Sequence, residues 1–197
     1  MLFAAGHLSA CAHTSRPSGS IPAKESAAMT STTASAVNSN PTLDAEQIGR
    51  RFLKLIESLK SRSDLSEQRI REATGIELKP GESGPFYSQP LQADWYYILH
   101  YVPESASLKR GVGLEFGNRA DRHADMSPIC SLSLQDYHGA LEAMGFHGAQ
   151  TTGEIGQPID WRYHRNDISL SIVAWPQAGS HDASSQRNCV RSIATLN

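Results

Sequence analysis

Cys130 and Cys189, eight histidines and two Asp-Trp pairs, Asp94-Trp95 and Asp160-Trp161, carry most of the chemistry this chain could do. In an exported protein, two cysteines in the folded part form a disulfide; in the cytosol the same residues are buried free thiols. Closed, the link would span roughly 60 residues and contribute on the order of 4 kcal/mol by restricting the unfolded chain. A free thiol beside a histidine would instead be a nucleophile. Two carboxylates can divide acid and base roles, but Asp94 and Asp160 each stand before a tryptophan, and that repetition suits the holding of a turn. His123 lies between carboxylates in Asp121-Arg122-His123-Ala124-Asp125, which on an exposed loop is solvated charge. No H-x-x-x-H or C-x-x-C spacing accompanies it. His138, His147 and His164 make a metal site only if the fold gathers them. Gly81-Glu82-Ser83-Gly84 lacks the spacing of a nucleophile elbow and reads as a turn. The expectation is a chain with no catalytic residue, no metal and no cofactor.

The elements that position these residues are legible from capping and periodicity. Asp44 with Gln47 makes a capping box, and Leu43 with Ile48 a hydrophobic staple. Ile48, Phe52, Leu55, Ile56 and Leu59 then recur at helical spacing, which predicts a helix to about Ser61. A second helix is predicted from about Leu65 to Thr74, capped by Asp64 and stopped by Gly75. Trp95–Val102 and Val112–Phe116 are rich in aromatic and branched residues and read as strands. A third helix runs from about Leu134 to Met144, with Ser133 as cap, Asp136 at the box position and Gly145 as stop. Trp161–His164 and Ile168–Trp175 form a predicted hairpin turning at Arg165–Asp167, and Val190–Leu196 a last strand.

Gln89–Tyr97 and Gln157–Tyr163 share Gln-Pro, an aliphatic residue, Asp-Trp and a later Tyr, and each follows a helix that stops at glycine. This pattern predicts an internal duplication, with halves at about 62–118 and 131–197. The fold class it implies is α+β: two helix-plus-antiparallel-strand repeats forming one sheet with the helices packed on one face. Residues 42–197 then make a single domain. Trp95, Tyr97, Leu99 and Tyr101 point to one side of their strand, and Tyr96, Ile98, His100 and Val102 to the other. One side meets the helices; the other is covered by loops or is left as an aromatic surface.

The amino-terminal region sets the context. Leu8-Ser9-Ala10-Cys11 resembles the lipobox of bacterial lipoproteins. The resemblance implies that residues 1–11 are a signal ending in a lipidated Cys11, and that the chain is exported to the periplasm. Ala12 after the cysteine points, by the same resemblance, to the outer membrane. Two or more acyl chains anchor stably, at about 0.8 kcal/mol per buried CH₂. Residues 12–41 hold only Ile21, Met29 and Val37 as large apolar side chains, too few to offset ordering entropy, and read as a flexible Ser/Thr/Ala/Pro linker. No run approaches the roughly 20 apolar residues of a membrane-spanning helix. A net charge of −2 with 19% charged residues argues against a nucleic-acid partner.

In outline the layout of residues 44–197 resembles the tandem repeats of secreted β-lactamase inhibitory proteins and the small lipoproteins that act as immunity partners of bacterial toxins. The resemblance implies a protein that binds and neutralises a protein partner, a secreted toxin or envelope hydrolase. It carries over no functional residue. A structural or scaffolding envelope lipoprotein is the alternative. The partner-binding candidates are Trp95, Tyr96, Lys109, Arg110, His181 and Asp182, on the aromatic strand and on the loops Pro103–Gly111 and Pro176–Asn188.

Overall fold

A computed structural model describes residues 40–176 and 188–197. The lipobox with Cys11, most of the linker, and His181 and Asp182 lie outside the described residues. Among those described are three α-helices, α1 (Ala45–Ser58), α2 (Glu67–Thr74) and α3 (Leu134–Ala143). Seven strands accompany them: β1 (Phe86–Pro90), β2 (Trp95–Val102), β3 (Gly111–Asn118), β4 (His147–Thr152), β5 (Pro158–Arg165), β6 (Ile168–Pro176) and β7 (Asn188–Thr195). They form one antiparallel sheet of order β1-β2-β3-β7-β6-β5-β4. The class is α+β. β1 to β3 run as a meander from one edge; β4 to β7 run inward from the other, so that the last strand closes the sheet against β3.

α1 begins at the predicted capping box: the Asp44 carboxylate accepts from the Gln47 N–H at 2.7 Å and the Gln47 amide oxygen accepts from the Asp44 N–H at 3.0 Å. Its buried stripe is Ile48, Phe52, Leu55 and Ile56, and it ends at Ser58, before Ser61. The predicted start of α2 is corrected. The Asp64 carboxylate is used one turn earlier, accepting from the N–H groups of Lys60 and Ser61, so Ser66 caps α2 instead. Gly75 closes α2 in the left-handed region at φ 74°, where glycine meets no Cβ penalty.

Burial alternates along β2: Trp95, Tyr97, Leu99 and Tyr101 are buried while Tyr96, Ile98, His100 and Val102 are half-buried. The buried set, with Val112, Leu114, Ile168, Leu170, Ile172 and Ile193, shares one core with the apolar faces of α1 and α3. Gly49 on α1 admits α3: a Cβ there would stand 2.5 Å from the Tyr137 hydroxyl oxygen.

Two arginines, the buried Arg62 and the half-buried Arg165, tie the element ends together without a carboxylate on their guanidinium groups. Arg165 donates to the carbonyls of Ile56 and Leu59 at the end of α1 and of Met144 at the end of α3, and it lies 4.4 Å from the Phe146 ring centre. Arg62 donates to the Arg110 and Leu196 carbonyls and to the Asn197 side chain, joining the start of β3 to the end of β7. The chain's entry is clamped by two side-chain amides. Asn40 pairs with the Glu77 backbone, and Gln89, from the first Gln-Pro pair, pairs with both the N–H and the carbonyl of Leu43.

Candidate interaction surface

Cys130 and Cys189 are bonded to each other, with their α-carbons 5.4 Å apart, inside the range a disulfide requires. The bond pins the 3-10 turn Ser127–Ile129 to β7, next to a backbone bridge between Ser133 and Cys189. A cysteine nucleophile paired with histidine therefore has no free thiol among the described residues.

The two Asp-Trp pairs do different work. Asp94 sits in the turn before β2, at φ 62°. Asp160 is not in a turn, which corrects the common role expected for the two. It sits where β5 carries one residue more than β4, between the pairs Gln150↔Trp161 and Thr152↔Pro158. Thr151 fills this bulge by donating to the Asp160 carboxylate, and Ser171 donates to it at 2.7 Å. Only 9% of Asp160 is exposed. Burial pushes its pKa up, yet the hydroxyls of Thr151 and Ser171 and the Arg162 guanidinium together hold it below the ordinary carboxylate value.

The histidines are split. His138 bonds the Tyr163 hydroxyl through Nδ1 at 3.1 Å and faces Glu142 through Nε2 at 3.1 Å. Burial first, then the Glu142 charge, pushes the Tyr163 phenol up to about 12. Tyr163 is fully buried at the inner end of this carboxylate–imidazole–phenol chain, and Glu142 is exposed at the outer end. His147 and His164 are cross-strand neighbours on β4 and β5, and His164 bonds Ser169 through Nδ1 at 2.9 Å. Asp160 lies roughly 13 Å along β5 from His164 and bonds a different serine, so Ser169, His164 and Asp160 form no serine–histidine–carboxylate relay. Among the described residues no group of three or more His, Cys, Asp or Glu could hold a metal ion.

Trp95, a predicted contact residue, is 1% exposed and offers no surface. The alternation along β2 turns its ring inward, towards the Arg191 guanidinium at 5.4 Å. Arg191 also lies 4.7 Å from the Trp175 ring centre, and His123 stacks on Trp175 at 5.6 Å and 12°. Arg191 donates to the Arg122 carbonyl. The loop of Asp121–Asp125 is thereby bound to the strand ends. Tyr96 faces the other way. Its ring lies across Gly117, where a Cβ would stand 2.3 Å from it, and Arg119 approaches the ring at 5.7 Å. His100 lies across Gly113 in the same manner. Tyr96, Ile98 and His100 thus form a half-buried row with Glu115 exposed opposite Ile98. Arg110 is drawn back to Glu104 at 2.8 Å and to the Ser63 carbonyl; Lys109 is exposed.

A cleft of about 460 Å³ opens beside the chain's entry, between Leu43, Gln89, Leu91 and Ile129. Asp44 is its one carboxylate, and that is committed to the helix cap. Sequence reasoning missed the β4–β5 hairpin, where Ile155 is 89% and Ile159 56% exposed. It also missed the Arg191 stack, whose members are too far apart in sequence to signal one another. The fold and its surfaces define an α+β protein in which His138, His164, Asp44 and Asp160 are engaged in structural contacts. No family model, curated protein or solved structure matches the chain.

Proposed function

We propose that this chain is a non-catalytic cell-envelope lipoprotein that binds and neutralises a protein partner, an immunity protein against a secreted bacterial toxin. The observation that carries the reading is the row Tyr96, Ile98 and His100 on β2, laid over the glycines of β3 and flanked by Arg119. Aromatic and arginine side chains held rigidly at a surface are the usual anchors of a tight interface, and a complex needs about 1,600 Å² in all. The Cys130–Cys189 bond supports export, because such links persist outside the cytosol. In this reading lipidated Cys11 holds the protein at the outer membrane, facing the periplasm, and residues 12–41 supply reach.

The architecture of the proposal is a duplication. α2 with β1 to β3 corresponds to α3 with β4 to β6, and β7 seals the two meanders. All three helices lie on the face that carries Trp95 and Tyr97, which leaves the Tyr96 face for the partner.

The test is protection. Cells expressing the exported chain should survive the toxin encoded beside its gene, and the double variant Tyr96→Ala/His100→Ala should lose protection while its melting curve stays within a few degrees of the parent. Survival undiminished by the double variant, or no neighbouring toxin neutralised, would overturn the reading. Mass spectrometry of the mature amino terminus should find a diacylated Cys11.

A further inference from the structure

Of His138, His147 and His164, the fold gathers two. His138 is engaged by the buried Tyr163. His147 on β4 and His164 on β5 stand directly opposite each other, so their side chains share one face of the sheet. It is the face opposite to that of the buried Tyr163 and Leu170, and both histidines are exposed on it. Ser169 lies opposite His164 in the next strand, so a row of His147, His164 and Ser169 crosses β4, β5 and β6. The Ser169 hydroxyl meets Nδ1 of His164 at 2.9 Å. The two nitrogens of an imidazole lie on different sides of the ring. Nε2 of His164 is therefore turned away from β6, to the side on which His147 stands. A bond at one ring nitrogen that presents the other to a cation is the common arrangement around metal-bound histidine. The His147 side chain makes no hydrogen bond or ion pair among the described residues. The next pair on this face is Ala149 and Arg162. Alanine leaves space, and Arg162 is drawn to Asp160 at 3.4 Å, away from the histidines.

We propose that His147 and His164 form a surface site for one late first-row divalent cation, with Cu(II) held most tightly and Ser169 as a positioning residue. Two nitrogens side by side on one ion stand about 3 Å apart, and imidazoles rooted about 5 Å apart across two strands reach that spacing by side-chain rotation. Water fills the remaining positions. A square-planar ion accepts two nitrogens and two waters, whereas Zn(II) sites draw on three or four protein ligands. The order of affinities for nitrogen ligands also places Cu(II) above Ni(II) and Zn(II). Mg(II) and Ca(II) require oxygen ligands, which this pair does not offer. A cation held here ties the edge strand β4 to β5 beyond the end of their pairing that carries the bulge.

The test titrates Cu(II) into the untagged full chain with Cys11→Ser, which removes both the lipid and the lone thiol. Calorimetry should show a site with Kd on the order of 10 μM, and Ni(II) and Zn(II) should bind it more weakly. The paramagnetic ion should first broaden the amide signals of residues 147–149 and 162–165. His147→Ala and His164→Ala should each weaken the site at least about tenfold with melting curves unchanged, while His123→Ala leaves it as it is. Ser169→Ala should weaken it several-fold, and Ser169→Thr, which keeps the hydroxyl, should restore it. The proposal is overturned by the absence of saturable binding below about 1 mM, or by a site that survives the loss of either histidine. Broadening centred on another histidine, or affinity indifferent to Ser169→Ala, would equally count against it.

Discussion

Asp160 shows how one buried carboxylate is made tolerable. Two hydroxyls and a guanidinium donate to it, and their sum outweighs the cost of burial. Its folded pKa therefore lies below the unfolded value, near 3.8. Such a group contributes stability at every pH above the unfolded value and loses it as the pH falls through the folded one. Asp160→Asn should lower unfolding free energy at pH 7 by about 1–2 kcal/mol and flatten the fall in stability below about pH 4, as read from urea melts across pH. Glycine supplies a contrast at the same scale. Gly49→Ala gains helix propensity but drives a methyl against the buried Tyr137 hydroxyl, and should destabilise by about 1–3 kcal/mol. Gly117→Ala meets only the far end of the half-buried Tyr96. It should cost less than about 1 kcal/mol while displacing that ring, which makes it a probe of the proposed binding surface with little effect on melting.

Between elements, Arg165 replaces the counter-charge that helix ends lack. The carboxyl ends of α1 and α3 present carbonyls with partial negative charge, and one planar guanidinium reaches both. Arg165→Lys should lose about 2–4 kcal/mol, nearly as much as Arg165→Met, because a single ammonium cannot span three carbonyls on two helices. Chemical denaturation of the three proteins checks this. The helices were legible because their signals are local: the Asp44 box, the Ser133 box and the glycine stops at Gly75 and Gly145. The start of α2 was placed two residues early because Asp64 and Ser66 are both acceptable caps, and the choice depends on the turn at Lys60 and Ser61. β1 and β4 escaped notice for a physical reason. His147–Thr152 is exposed on both sides, so no alternation marks it, and Phe86–Pro90 ends in the residue that argues against strand. The candidate surface was legible as a cluster of aromatics on β2. Which side of the strand turns inward was set by pairing with Gly113 and Gly117, partners remote in sequence. That is why Tyr96 is at the surface and Trp95 is not.

Across the whole molecule, the last strand must find its place between two meanders formed far apart in the chain. β7 pairs β3 on one side and β6 on the other, and Cys189 near its start is bonded to Cys130 before α3. The bond closes the 59-residue separation that holds α3 and β4 to β6, so its main effect is to shrink the unfolded ensemble in which β7 has to search. Replacing both cysteines by alanine should lower stability by about 2–4 kcal/mol, or roughly 10 °C in Tm for a body of this size. The denaturant slope should rise, because the unlinked chain exposes more surface on unfolding. The parent protein treated with dithiothreitol should move to the same curve as the double variant. If the link mattered through native contacts alone, the double variant would lose stability at an unchanged slope. The slope therefore separates a constraint on the unfolded chain from a contact in the folded one, and a slope that does not rise would count against the first.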